Sequence, residues 1–279
     1  MDLQEPKITE EDVLFLDDPD FDQSNICLIT GAATGIGRAM SLAAAANNLY
    51  VFGLDKNEEQ GQETKQMAKD MGGKMEFVST DLNKDSDIES AVSYAAGEGN
   101  IKFLLNIAGV QHIDSIENFP MDKFDQMQNL MLRAPFYLSK LCIPHMKNSR
   151  DGTGVIGNMA SVHAHITTKN KPVYNITKFG LRALSQSISA EGEGKIRSFT
   201  ASTGYVKTPL VMNQIPDQAK QRNISPEEVV SDVMLGNSQV KDLMRPIDVA
   251  NLFLFGISKY SKYLVGGDLL FDGGMVLTY

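Results

Sequence analysis

The chain has 279 residues, 42% of them hydrophobic, which bounds it to one large or two modest domains with a full core. No run approaches the roughly 18 consecutive apolar residues of a membrane span, and acids stand where a signal peptide needs bases, so a cytoplasmic protein with no membrane partner is expected. Of the net charge of -9, Met1 to Ser24 carry -8, and the nearly neutral remainder lacks the surplus of Lys and Arg that a nucleic-acid partner requires.

The first element is therefore residues 1–24, an acidic arm with Asp2, Glu5, Glu10, Glu11, Asp12, Asp17, Asp18, Asp20 and Asp22 against Lys7 alone. It is expected to pack on the domain or on a neighbouring subunit, and no chemistry is assigned to it. From Asn25 onward, short apolar runs alternate with amphipathic ones. The predicted strands are Asn25 to Thr30, Tyr50 to Asp55, Met75 to Thr80, Ile101 to Asn106, Gly154 to Met159, Ile196 to Ala201 and Gly267 to Asp272. Between them the helices are predicted over Ile36 to Asn47, Glu58 to Met71, Asp87 to Ala96, Met121 to Met146, Val173 to Gly192 and Pro246 to Ile257. Such alternation, with strands apolar on both faces, predicts a doubly wound α/β fold: a seven-stranded parallel sheet with helices on each side, in a single domain over 25–279. Cys27 and Cys142 both fall in apolar runs and read as buried, inert thiols.

The segment "ITGAATGIGRA" follows the first strand and opens a helix. Its glycines Gly31, Gly35 and Gly37 allow a tight turn and close approach of backbone to a pyrophosphate, whose charge lies at the positive end of the helix. Asp55 ends the second strand 18 residues beyond Gly37; its carboxylate accepts the ribose hydroxyls of an adenosine and repels a 2'-phosphate, which favours NAD over NADP. Tyr174 and Lys178, four apart on one helix, share a face, so the ammonium sits near the phenol and is expected to lower its pKa. A phenol activated in this way exchanges a proton with an alcohol while hydride leaves the same carbon, and Ser161 holds the substrate oxygen.

The spacing Gly-x3-Gly-x-Gly, the Ser161 of "GNMASVHA" and the Tyr174 and Lys178 of "KPVYNITKFG", 13 residues past that serine, together resemble the short-chain dehydrogenase/reductase family from Asn25 to the C-terminus. The resemblance implies catalysis by Ser161, Tyr174 and Lys178, the last also holding the nicotinamide ribose. It implies that Thr34 and Ile36 join the glycines at the phosphates, that Asp81 and Leu82 of "TDLN" build an adenine pocket, and that Asn106, Ala108 and Gly109 of "NIAG" lie beside the adenosine. Val206 and Thr208 of "GYVKTP" fall where the carboxamide or phosphates are contacted. The chain departs from the family pattern at Ile107, at Thr203, and at Met131, which stands where many members carry a catalytic Asn; Asn129 is nearby. A homotetramer is implied, built on the two long helices and the last strand.

Within that family, Gln111, His163, Lys171 and Gln214 resemble the residues that surround the substrate carboxylate in D-3-hydroxybutyrate dehydrogenases. The long excursion Gly204 to Val240 is similar to that subfamily's, and is expected to be a helical lid that closes over cofactor and acid, with Gln214 reaching down. Tyr205 and Met275 stand where the subfamily tends to place tryptophans; the chain has none. "HAH", with His163 and His165, lacks a third ligand of suitable spacing, so no metal is expected. Two other readings stay open at this point: a related oxidoreductase of another short hydroxy acid or small carbonyl compound, and a nucleotide-binding sensor that has lost turnover.

Overall fold

The computed structural model describes residues 5–278, apart from the Gln221 side chain; Met1 to Gln4 of the acidic arm and Tyr279 lie outside them. Seven strands form one parallel sheet in the order β3-β2-β1-β4-β5-β6-β7: β1 Asn25–Thr30, β2 Tyr50–Asp55, β3 Lys74–Ser79, β4 Asn100–Asn106, β5 Gly154–Met159, β6 Ile196–Thr203 and β7 Asp268–Phe271. Parallel strands need crossovers, and the amphipathic segments supply them as α1 Gly35–Ala46, α2 Glu58–Asp70, α3 Asp85–Glu98, α4 Met121–Gln128, α5 Ala134–Lys147 and α6 Pro172–Glu191. Three short helices follow β6, α7 Pro209–Met212, α8 Ile215–Arg222 and α9 Pro226–Glu228, before α10 Pro246–Ile257.

The strands are apolar on both faces because both faces are covered. One core joins Cys27, Ile29, Val51, Phe103 and Phe199 to α1 and α10; the other joins Ile26, Leu28, Phe52, Leu104 and Ile156 to α3 and α5. Burying a side chain such as Phe199, 0% exposed, stabilises the fold by about 1.5–3 kcal/mol relative to leaving it in water. Cys27 and Cys142 fall one in each core, unpaired and fully buried, and burial pushes both thiols up.

The helix predicted without a break over Met121 to Met146 is interrupted by a π turn at Asn129–Arg133, where the Ala134 amide bonds back to the Asn129 carbonyl. Met131, 1% exposed, lies in this turn and packs with Met127 and Val173 under Tyr174. Helical periodicity carries no mark of a one-residue widening, so the sequence pattern reads straight through it.

The acidic arm runs along α1 and α10 of its own domain. Ile8, Val13 and Phe21 enter the first core, the Leu14 amide donates to Asn251 Oδ1 at 2.9 Å, and Asp12 pairs with Arg245 at 2.6 Å. The segment between β6 and α10 has a small core of its own, in which Met212, Ile215, Val229, Val230 and Met234 are buried together. The order β2-β1-β4 places the reversal of strand order between β1 and β4, and the crevice at their C-terminal ends is where open α/β sheets bind ligands.

Candidate active site

That crevice is a cleft of about 260 Å³, and its wall is backbone at one end and side chains at the other. At the backbone end, Gly31 has φ 71° and a side chain there would meet Ala108 Cα at 2.9 Å, while Gly35 has φ 57°. A Cβ on Gly37 would lie 2.0 Å from the Gly31 carbonyl oxygen, so the turn closes only on glycine. Together these glycines expose the first amides of α1 to the cleft, a cradle for a phosphate group. Thr34, Gly35, Ile36 and Gly37 all line it, and so do Asp81, Leu82, Ala108, Gly109, Val206 and Thr208. The Ala108 amide is fixed by Thr30 Oγ1 at 3.1 Å.

Asp55 lines the cleft at the end of β2, its two oxygens taking the Ala33 amide at 3.2 Å and the Asn57 amide at 2.9 Å. Lys56 and Asn83 line the same end and were not singled out from the sequence; a lysine directly after a strand-end aspartate carries no motif of its own. Asn106 is buried behind the cleft, donating to Asn158 Oδ1 at 2.8 Å while its own Oδ1 has no partner among the described residues. The glycine cradle, the adjacent carboxylate and this orphaned acceptor fit a nicotinamide dinucleotide.

At the side-chain end, β5 delivers Ser161 and α6 delivers Tyr174 and Lys178 to the same point. Ser161 Oγ lies 3.1 Å from His163 Nδ1 and hydrogen-bonds the Tyr174 hydroxyl; His163 Nε2 lies 2.9 Å from Thr168 Oγ1. Lys178, 3% exposed, donates to the Met159 carbonyl at 2.7 Å and stands 5.2 Å from the centre of the Tyr174 ring. The expected lowering of the phenol is not what this environment produces. Burial pushes Tyr174 up to about 12, the Ser161 bond only partly opposing it, and burial draws Lys178 down to about 8. Low dielectric disfavours the charged form of each group, and it sets the direction at both.

Burial, with Lys171 and Lys178 adding to it, draws His163 down to about 3, so the imidazole is neutral at ordinary pH. Its ring meets Tyr174 edge-on at 5.4 Å. Lys171 is the N-cap of α6 rather than a residue on its face, because the proline at the next position starts the helix there. Its ammonium is drawn down to about 8 by burial, lies 5.8 Å from the Tyr205 ring centre, and forms no ion pair with a carboxylate among the described residues. Gln214 reaches Gln111, Nε2 to Oε1 at 3.3 Å, neither of them in the lining of the cleft, and the Gln111 Nε2 is buried without a partner among the described residues. Tyr205 and Met275 meet at a second cavity behind this end, of about 160 Å³. Met131 brings an apolar side chain, with its sulfur beside Gly109, where a relay asparagine was weighed.

His165 points elsewhere, pairing with Asp268 at 2.8 Å, and no cluster of metal-ligating side chains occurs among the described residues. No helix among them is long and apolar enough to cross a membrane.

Residues 25–219 match the short chain dehydrogenase family. The chain is 33% identical over 251 residues to a D-beta-hydroxybutyrate dehydrogenase of Rhizobium meliloti, covering 88% of this chain and 96% of that one. It is 28% identical over 253 residues to a D-beta-hydroxybutyrate dehydrogenase of Cupriavidus necator, covering 89% and 96%. A Beutenbergia cavernae protein solved with NADP bound at low occupancy has the same fold, with a TM-score of 0.81, 22% identity and coverage of 92% of this chain and 99% of that one. The family model spans residues 25–219 and the likeness to the Rhizobium meliloti enzyme extends over most of both chains: the chain is a dehydrogenase/reductase that belongs to the short-chain dehydrogenase family.

Proposed function

We propose that the protein interconverts D-3-hydroxybutyrate and acetoacetate with NAD as the hydride carrier. The observation that carries this reading is Lys171, a half-buried ammonium with no carboxylate partner among the described residues, near enough to His163 for its charge to lower that imidazole. An uncompensated buried cation is costly unless an anion arrives with the substrate, and a short carboxylic acid brings one at the right distance from its hydroxyl. Gln111 and Gln214 supply amides around the same carboxylate, and a small neutral carbonyl compound would leave Lys171 without an anion.

The dinucleotide, held by Gly31, Thr34, Gly35, Ile36, Gly37, Asp55, Asp81, Leu82, Asn106, Ala108, Gly109, Val206 and Thr208 together with Tyr174 and Lys178, supplies a nicotinamide that accepts or returns the hydride. Asp55 favours the 2'-hydroxyl of NAD through its negative charge, and Lys56 beside it is the feature that would favour NADP. The protein's own part is proton transfer and positioning. Ser161 holds the substrate oxygen, and Tyr174 exchanges its proton. A phenol raised to about 12 is protonated at neutral pH and ready to donate to a keto acid; in the oxidising direction it must first lose that proton, which a positive charge arriving in the cleft favours. Residues 204–240, with their own small core, act as a lid that excludes water, and Gln214 carries its contact down to Gln111.

Phe136 on α5 and Ile176 and Phe179 on α6 are exposed and support a homotetramer built on these helices. Two free buried thiols suit a cytoplasmic, reducing setting.

The test is direct. Incubation with D-3-hydroxybutyrate and NAD should give reduced cofactor at a rate well above that with NADP or with uncharged secondary alcohols of the same size. Preference for an uncharged alcohol would remove the carboxylate assignment, and dinucleotide binding without turnover on any hydroxy acid would favour the sensor reading.

A further inference from the structure

The acidic arm was assigned no chemistry, yet its first described residue reaches the cofactor cleft. Glu5 Oε1 accepts the Gly35 amide at 2.6 Å. Gly35 is the first residue of α1 and the second glycine of the cradle, and its N-cap, Thr34, makes no side-chain capping bond of its own. The carboxylate therefore sits on the amide that a pyrophosphate oxygen would use, and it has the same chemistry: an anion at the positive end of a helix, hydrogen-bonded to backbone N–H.

The arm is led there by fixed contacts. Ile8 is buried in the first core three positions later, and Asp12 pairs with Arg245 at 2.6 Å, so the stretch around Glu5 is tethered within reach of the glycine turn. The seat is held at a cost: burial raises the Glu5 carboxyl, opposed by the Arg38 cation and the Gly35 bond, while Glu63 adds to the rise. A carboxylate that is partly desolvated and makes one backbone bond is readily displaced by a group carrying more charge and more acceptors.

We propose that the N-terminal arm is a built-in competitor of the dinucleotide: Glu5 occupies the pyrophosphate position on the Gly35 amide and must leave before the cofactor is seated. This rests on the dinucleotide reading of the cleft. An arm docked about nine-tenths of the time weakens apparent cofactor affinity about tenfold, and removing its carboxylate restores that factor.

Calorimetric titration of NAD and of NADP into the full-length wild-type protein and into Glu5→Ala tests this. The dinucleotide that binds should do so about three- to tenfold more tightly in the variant, with kcat at saturating cofactor unchanged. Equal affinities, or weaker binding in the variant, overturn the proposal while leaving the cleft assignment intact. Absence of binding of either dinucleotide to either protein overturns both. A second measurement needs no variant: Lys7 is exposed two residues after Glu5, and saturating dinucleotide should speed tryptic cleavage after Lys7 in the wild-type chain by releasing the arm. Cleavage that is unchanged or slowed by the dinucleotide contradicts displacement.

Discussion

At the end of the cleft proposed for the dinucleotide the wall is backbone, held by three glycines within seven consecutive residues, Gly31 to Gly37, at one strand-to-helix turn. At the end proposed for the acid the groups are side chains of separate segments: Gln111 after β4, Ser161 and His163 after β5, Lys171 and Tyr174 at the start of α6, and Gln214 between α7 and α8. The first end is rigid because its geometry is a covalent consequence of the turn. The second includes Gln214 from the segment proposed as a lid, whose buried residues form a separate cluster, Met212 to Leu235. In the proposed reading, binding of the cofactor is thus tied to the sheet, and choice of substrate to a segment with a core of its own.

Substitutions sharpen this contrast. The largest effect falls where the two ends meet: Tyr174→Phe keeps the ring against His163 but removes the exchangeable proton, and kcat should drop by about 10²–10⁴-fold with dinucleotide affinity nearly unchanged. Retention of more than about a tenth of the wild-type turnover would mean that another group carries the proton. Next is Gly37→Ala, whose methyl would lie 2.0 Å from the Gly31 oxygen. The turn must open, so we expect about 1–3 kcal/mol of lost stability in denaturant titration and a displaced phosphate cradle, with kcat/KM for the dinucleotide down about a hundredfold. If stability falls and cofactor affinity does not, the cradle is structural only.

The same contrast explains what could be read from the sequence. The glycine turn, Ser161, Tyr174 and Lys178 are legible because their spacing along the chain is set by one turn and one helix, and the sheet order follows from alternation of apolar and amphipathic runs. Lys171 lies just ahead of the helix predicted from Val173, and Pro172 at the first helical position makes it the cap. The π turn at Asn129–Arg133 leaves the apolar pattern intact and so leaves no trace in it. The balance of charge at Tyr174 was misjudged for a different reason. Proximity of Lys178 is a matter of spacing, but burial of both groups is a property of the assembled core, and burial decides the direction. Glu5 was hidden among nine acids of the arm, and only its position against Gly35 distinguishes it from the rest.

The smallest predicted effect bears on the acid end alone. Lys171→Ala removes the cation proposed for the carboxylate, and a lost charge-assisted bond of about 1.5–3 kcal/mol should raise KM for the acid about ten- to a hundredfold, with KM for the dinucleotide little changed. The pH dependence supplies a check on the cause. Burial draws this ammonium down to about 8, so its charge is present below that pH and is lost as the pH rises through it. In the wild-type protein kcat/KM for the acid should therefore fall as the pH passes from 7 to about 9, beyond any change in kcat, whereas in the alanine variant KM should be flat over the same range. A variant whose KM values for acid and dinucleotide rise together would show that Lys171 supports the cleft as a whole, and the division between a backbone-built cofactor end and a side-chain-built acid end would fail at that residue.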